Sequence, residues 1–211
     1  MSDVIEVRFL PTTDFPPGTV LDLLERSYDS LLREEPRYWG PERESFAAFD
    51  KEVYDHPATV GACVLVTAIP AVTASGANGI AGTGNRGASS DGTGARADAA
   101  VAAAAAAAGV TRWRAIGLGT WDPRQGPAVG IVGHNCVIPD YQGQGIGRRQ
   151  VQEILRRFRQ RGFARAAVTT SEHPFFVPAQ RMYAACGFTL VGRRSGGPDP
   201  RYGVLDFALP F

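Results

Sequence analysis

Glycine recurs at every second position through Gly143, Gly145 and Gly147, between the apolar run Cys136-Val137-Ile138 and an amphipathic segment carrying Val151, Ile154, Leu155 and Phe158. A glycine-rich loop that opens into a helix presents unpaired N–H groups and the positive end of the helix dipole. Together these make a phosphate site. Spacing excludes two familiar versions of it. A P-loop needs Gly-Lys-Ser/Thr, whereas Arg148 and Arg149 follow Gly147. A dinucleotide fingerprint needs a third glycine three residues after the second; counting from Gly143 and Gly145, that position is Arg148. Arginine there suits phosphate, because its planar fork meets two oxygens at once.

A second chemistry-bearing segment is Pro178-Ala179-Gln180-Arg181-Met182-Tyr183-Ala184-Ala185-Cys186-Gly187-Phe188. Proline suits a helix start and Gly187 the residue past its end. Ala179, Met182, Tyr183 and Cys186 share one face. His134 is the best general base by residue type, since an unperturbed imidazole titrates at about 6.5. A hydrogen-bonded core histidine is the bland alternative, Glu172 and His173 are further candidates, and ordered water can also carry a proton.

These segments carry a resemblance. Gln142-Gly143-Gln144-Gly145-Ile146-Gly147 fits Gln/Arg-x-x-Gly-x-Gly/Ala, and the 178–188 segment is similar to Ala-x-x-x-Tyr-x-x-x-Gly-Phe. Both, in this order and separated by a helix and a strand, resemble the GNAT acetyltransferase superfamily. The likeness is good from Trp113 to Phe188 and holds elsewhere only by pattern. It implies acetyl-CoA as cosubstrate, held by Gln142, Gly143, Gln144, Gly145, Ile146, Gly147 and Arg148 and by the backbone around Val137 and Ile138. It implies Tyr183 facing the departing sulfur and His134 or water taking the proton of an attacking amine. A tyrosine acting this way is expected to lose its advantage as pH rises to about 10, its ordinary pKa. One position departs from the family. An Asn often stands seven residues before the tyrosine, and here that residue is Phe176, so contacts to the pantetheine arm differ.

The implied reaction is N-acetyl transfer to an amine, small molecule or peptide, in a ternary complex. The alternatives are a non-catalytic acyl-CoA-binding or sensing module and an acyltransferase for longer acyl groups. The acceptor is expected between the connection 33–41, with Tyr38 and Trp39, and the segment 194–201, over an aromatic floor of Trp121, Phe175 and Phe176.

The elements that must position these residues can be read in outline. Strands are expected at Val4 to Leu10, Gly61 to Ala68, Trp113 to Trp121, Ala128 to Ile138, Phe163 to Ser171, Phe188 to Arg193 and Tyr202 to Leu209. Helices are expected at Val20 to Leu32 with Thr19 as N-cap, at Glu42 to Val53, at Gly145 to Arg161 and over the 178–187 segment. The result is an α/β (α+β) fold, a mixed and mostly antiparallel sheet of about seven strands with helices on both faces, matching the GNAT topology. A formal net charge of +1 over 211 residues offers no field for nucleic acid or an anionic membrane surface. The three cysteines, Cys63, Cys136 and Cys186, are far apart with no C-x-x-C pair, so no metal is expected and the setting reads as cytoplasmic. No apolar run reaches the roughly 20 residues of a membrane span. Homodimer formation stays open.

Composition changes over 71–110, which is mostly Ala, Gly, Ser and Thr without an aromatic residue. Such a stretch buries too little apolar surface to offset its ordering entropy. It reads as a low-complexity insertion between two strands of a single domain spanning 1–211. Loop closure changes by only about 0.6 kcal/mol per doubling of length. Deleting 74–107 is therefore expected to leave the melting temperature and CoA affinity unchanged. A collapse of either, by thermal melt or calorimetry, would show that the segment supports the core or the site.

Overall fold

The computed structural model describes residues 5–71 and 113–211. Apart from Ala71, the expected insertion lies outside the described residues. The chain divides into two units, Val7–Ala68 with Ala115–Phe211, and Met1–Glu6 with Ile69–Arg114. Of the second unit the described residues are Ile5, Glu6, the end of one strand with Ala71, and the first residues of the next strand. The site lies wholly in the first unit.

The strands are β1 (Arg8–Leu10), β2 (Val64–Pro70), β3 (Trp113–Asp122), β4 (Gly130–Val137), β5 (Arg165–Ser171), β6 (Thr189–Arg194) and β7 (Val204–Pro210). They form one sheet in the order β1-β2-β3-β4-β5-β7-β6. Pairs β1–β2, β3–β4, β5–β7 and β6–β7 are antiparallel, and β4–β5 is parallel. The helices are α1 (Thr19–Glu34), α2 (Pro36–Trp39), α3 (Glu42–Asp55), α4 (Ile146–Gln160) and α5 (Val177–Ala185). The one-turn α2 occupies part of what the sequence suggested was a polar connection; Pro36 at its first position has the fixed φ that a helix start requires.

Helix α4 buries Ile146, Val151, Ile154, Leu155 and Phe158, a stripe at helical spacing, against Val132, Val168 and Phe207 of the sheet. Burying a side chain such as Phe158 stabilises by about 1.5–3 kcal/mol. Its ring is the reason for Gly130, where a Cβ would come within 2.7 Å of the Phe158 ring. On the other face α1 buries Val20, Leu23, Leu24, Ser27 and Leu31. Its expected N-cap, Thr19, is instead the first helical residue, and Gly18 precedes it at φ 91°. The capping group is Asp50 of α3, distant in sequence. Its buried carboxylate accepts from the N–H groups of Gly18 and Leu21, each at 3.0 Å. Thr19 bonds back to the Pro16 carbonyl at 2.7 Å. Among the described residues, no helix is long and apolar enough to cross a membrane.

Candidate functional site

The site begins with a gap in the sheet. Parallel pairing of β4 with β5 runs Gly130↔Ala166, Ile131↔Ala167, Val132↔Val168 and stops there. Pairing of β4 with β3 continues to Gly117↔Val137, after a bulge that places one extra residue on β4 between Val132 and Asn135. Beyond Val132, then, one edge of β4 is bonded and the other faces a gap. The Ile138 N–H donates to the Ile116 carbonyl at 2.9 Å, toward β3. Strand alternation turns the polar groups of Val137 toward the gap. Gln142 folds back and donates to the Val137 carbonyl at 2.8 Å. The Val137 N–H is thus a donor left to face the gap. Ile138 differs from the sequence expectation in that its N–H is already used and its side chain is buried at 1% exposure.

A buried polar link fixes this edge. Gln150 of α4, fully buried, donates to Thr67 Oγ1 at 2.7 Å and to the Cys136 carbonyl at 3.2 Å. Asn135 Nδ2 reaches the Gly147 carbonyl and Met182 Sδ, each at 3.3 Å. Strand β4 is therefore tied to the start of α4 and to α5.

The loop leading from the gap has Gly143 at φ 74° and Gly145 at φ 75°, the left-handed region that disfavours side chains. Nothing lies within 4 Å of a Cβ built on either. No side chain caps α4 and no acidic residue occupies its first turn, so its terminal N–H groups and dipole are open to an anion. Gln142, Gly143, Gly145, Ile146, Gly147 and Arg148 line one end of a cleft of about 1180 Å³. Gln144 is not among its lining; it turns to the Asp140 carbonyl at 3.4 Å.

Tyr183 and Cys136 lie further along the cleft. Burial pushes the Tyr183 phenol well above the ordinary range, with the Cys186 and Cys136 thiols nearby adding to the rise. The hydroxyl therefore stays protonated through any ordinary assay pH, and the expected fading of its contribution near pH 10 does not apply. The Cys136 thiol, buried against α1 with its S–H toward the Leu23 carbonyl at 3.9 Å, is pushed up to about 11 by burial. Burial holds the His134 imidazole below its usual value. Its ring packs against Phe46, Phe49 and Tyr28 at centroid distances of 5.8, 5.6 and 6.5 Å. Glu172 forms a fork with Arg193 at 2.6 and 2.7 Å and accepts from the Gly203 N–H. His173 Nδ1 accepts from the Phe175 N–H at 3.1 Å. Both are held in structural contacts.

The far end of the cleft is an aromatic wall. Tyr28 packs on Phe46, Phe175 and Phe176 at 5.3, 5.6 and 6.2 Å, and Trp39 on Phe176 at 5.4 Å. Trp39, Phe175 and Phe176 line it as the sequence suggested; Tyr38 and Trp121 do not. Tyr38 lies beneath the Arg201 guanidinium at 4.9 Å. Arg201 bridges Glu35 at 2.7 Å and Asp199 at 2.6 Å, joining the end of α1 to the β6–β7 connection. Glu35, Asp199 and His173 bring three ligand-type atoms within 4.8 Å, and Arg201 bridges the two carboxylates. Trp121 is 4% exposed in the core, with Arg157 and Arg161 at 5.0 and 5.8 Å from its ring. Tyr28 and Phe46 escaped the sequence reading of the site. Tyr28 shares the apolar side of α1 with Leu24 and Leu31 at helical spacing, and nothing local distinguishes a wall from a core position.

Residues 95–188 match the family described as the Acetyltransferase (GNAT) family. Among solved structures, the chain is similar to a GNAT-assigned protein from Desulfovibrio desulfuricans, at 14% identity and a TM-score of 0.58, with 98% of each chain covered. It is similar to the NatC complex bound to Gag peptide and CoA, at 14% identity and a TM-score of 0.57, covering 98% of this chain and 99% of that one. A protein from Acinetobacter baylyi ADP1 described as an acetyltransferase shares 14% identity at a TM-score of 0.56, over 100% and 95% of the two chains. No curated protein matches the sequence. Residues 95–188 thus match the GNAT acetyltransferase family, and the chain has the fold of these structures.

Proposed function

We propose that the protein moves an acetyl group from acetyl-CoA to an amine by direct attack in a ternary complex. The observation that carries this reading is the gap between β4 and β5, with the Val137 N–H facing it and the uncapped α4 N-terminus at its mouth. The positive-φ loop and open helix end fit a pyrophosphate, and the Val137 N–H is placed to meet a thioester carbonyl. When bound, acetyl-CoA supplies the activated acyl group. The amine nitrogen bonds to the acyl carbon, the C–S bond breaks and the thiolate departs, while the proton of the amine passes to His134 or water. Tyr183 is best placed as a hydrogen-bond donor to sulfur. As an acid it would be uphill by about 2 kcal/mol from ordinary pKa values alone, and its burial widens that difference. Burial raises all three thiols, whereas a nucleophilic cysteine needs a lowered pKa. This favours direct transfer over an acyl-cysteine route. Calorimetry with CoA, followed by thiol release from acetyl-CoA over a panel of amines, tests the reading. Absence of CoA binding would end it.

The His134 role has its own signature. Because the folded pKa is depressed, the neutral form persists as pH falls through about 6.5, the ordinary value. The acid limb of kcat/KM is expected below that pH and should vanish in His134→Phe. A limb that survives the substitution would assign the proton to water. The same depression links to stability. The unfolded chain takes up this proton more readily, so the His134 contribution is present above about 6.5 and is lost as pH falls toward the folded pKa.

A further inference from the structure

We propose that the acceptor end of the cleft selects an arylalkyl amine, a primary amine on an alkyl chain that carries an aromatic ring, over polyamines and other polycations. This rests on the acetyl-transfer reading above. Tyr28, Leu31, Trp39, Phe46, Phe175 and Phe176 line that end. The rings are tilted against one another at centroid distances of 5.0 to 6.2 Å, a surface on which a further ring finds edge and face contacts. The charge count points the same way. Glu42, at the start of α3, is the single carboxylate residue among the described lining. The two arginines of the lining are Arg148, at the phosphate end, and Arg194, which binds Asp206 at 2.9 and 3.3 Å. A polycation would therefore bring several ammonium groups to one carboxylate and bury the rest against rings and aliphatic carbon. A single ammonium can be drawn in by Glu42 and then desolvated by the aromatic wall. Desolvation favours the neutral amine, which is the form that attacks. The wall thus does part of the deprotonating work that the weakly basic His134 cannot.

Four probes separate the classes: 2-phenylethylamine, hexylamine, spermidine and a short peptide with an N-terminal Phe, each with acetyl-CoA and read by thiol release. The kcat/KM for 2-phenylethylamine is expected to exceed that for spermidine by about 100-fold or more. It should exceed that for hexylamine by about 2- to 12-fold, the range of one aromatic pair. Phe175 is half-buried, so Phe175→Glu should fold. It should raise KM for 2-phenylethylamine at least about 10-fold and narrow the gap to spermidine, with CoA affinity by calorimetry unchanged. Spermidine or hexylamine equal to 2-phenylethylamine would overturn the proposal, as would preference for the peptide. CoA binding with no probe accepted would also overturn it, while leaving the coenzyme site standing. Failure to bind CoA at all would remove the acetyl-transfer reading and this proposal together.

Discussion

Gly145→Val is expected to weaken CoA binding by about 100-fold or more. Two effects act together. The φ of 75° at Gly145 is strained for a β-branched residue by roughly 1–3 kcal/mol, so the loop must leave the conformation that aims the α4 N–H groups. The new side chain also fills space at the loop where no atom beyond its chain neighbours lies within 4 Å of the Cβ, and is expected to obstruct a phosphate approaching the helix end. Gly145→Asn separates the two, because Asn tolerates the left-handed region while still adding bulk. A large loss in both variants points to blocked approach, and a loss in valine alone to backbone conformation. Calorimetry with CoA on folded protein reads the difference. Unchanged affinity in Gly145→Val would mean that the coenzyme binds elsewhere.

Tyr183→Phe is expected to lower turnover by about 10- to 1000-fold while preserving CoA affinity. The ring packs against Phe188 and Phe207 at 5.8 and 6.3 Å, so phenylalanine keeps the apolar contacts and only the hydroxyl is lost. Because the phenol is held above its usual range by burial, the ratio of wild-type to variant turnover should stay flat up to pH 10. A ratio that shrinks from neutrality toward pH 10 would mean an exposed, ordinarily titrating tyrosine. Equal turnover at every pH would make Tyr183 a packing residue, and no turnover in the wild type with CoA still bound would favour a protein that binds acyl-CoA without transferring the group.

The parts legible in the sequence were those set by local physics. The loop 142–147 and α4 could be read because glycine spacing, an apolar stripe and Gly162 past the end lie within one short segment. Tyr183 was legible only through the resemblance to Ala-x-x-x-Tyr-x-x-x-Gly-Phe, since by position alone it reads as a core residue on a helix. What stayed hidden depends on distant partners. The bulge in β4 shifts the alternation by one, and its phase is fixed only when Gly133 lies against Thr120. For that reason Val137 and Ile138 could not be told apart. Trp121 read as a wall residue because an aromatic at a strand end offers no clue that Arg157 and Arg161 will cover it. Tyr28 and Phe46 meet at the site only through the packing of α1 on α3.

That packing turns on Asp50, whose carboxylate holds the first turn of α1 from within α3. Helix α1 supplies Tyr28 and Leu31 to the acceptor wall, and α3 supplies Phe46 and Glu42. The two helices therefore behave as one cassette with a shared fastening, which meets β4 through His134 and Cys136. Changing acceptor preference by grafting is then a matter of exchanging residues 18–55 as a block. A graft of α1 alone would arrive without its cap, with four N–H groups to satisfy and its aromatic side chains unregistered against the rest of the wall.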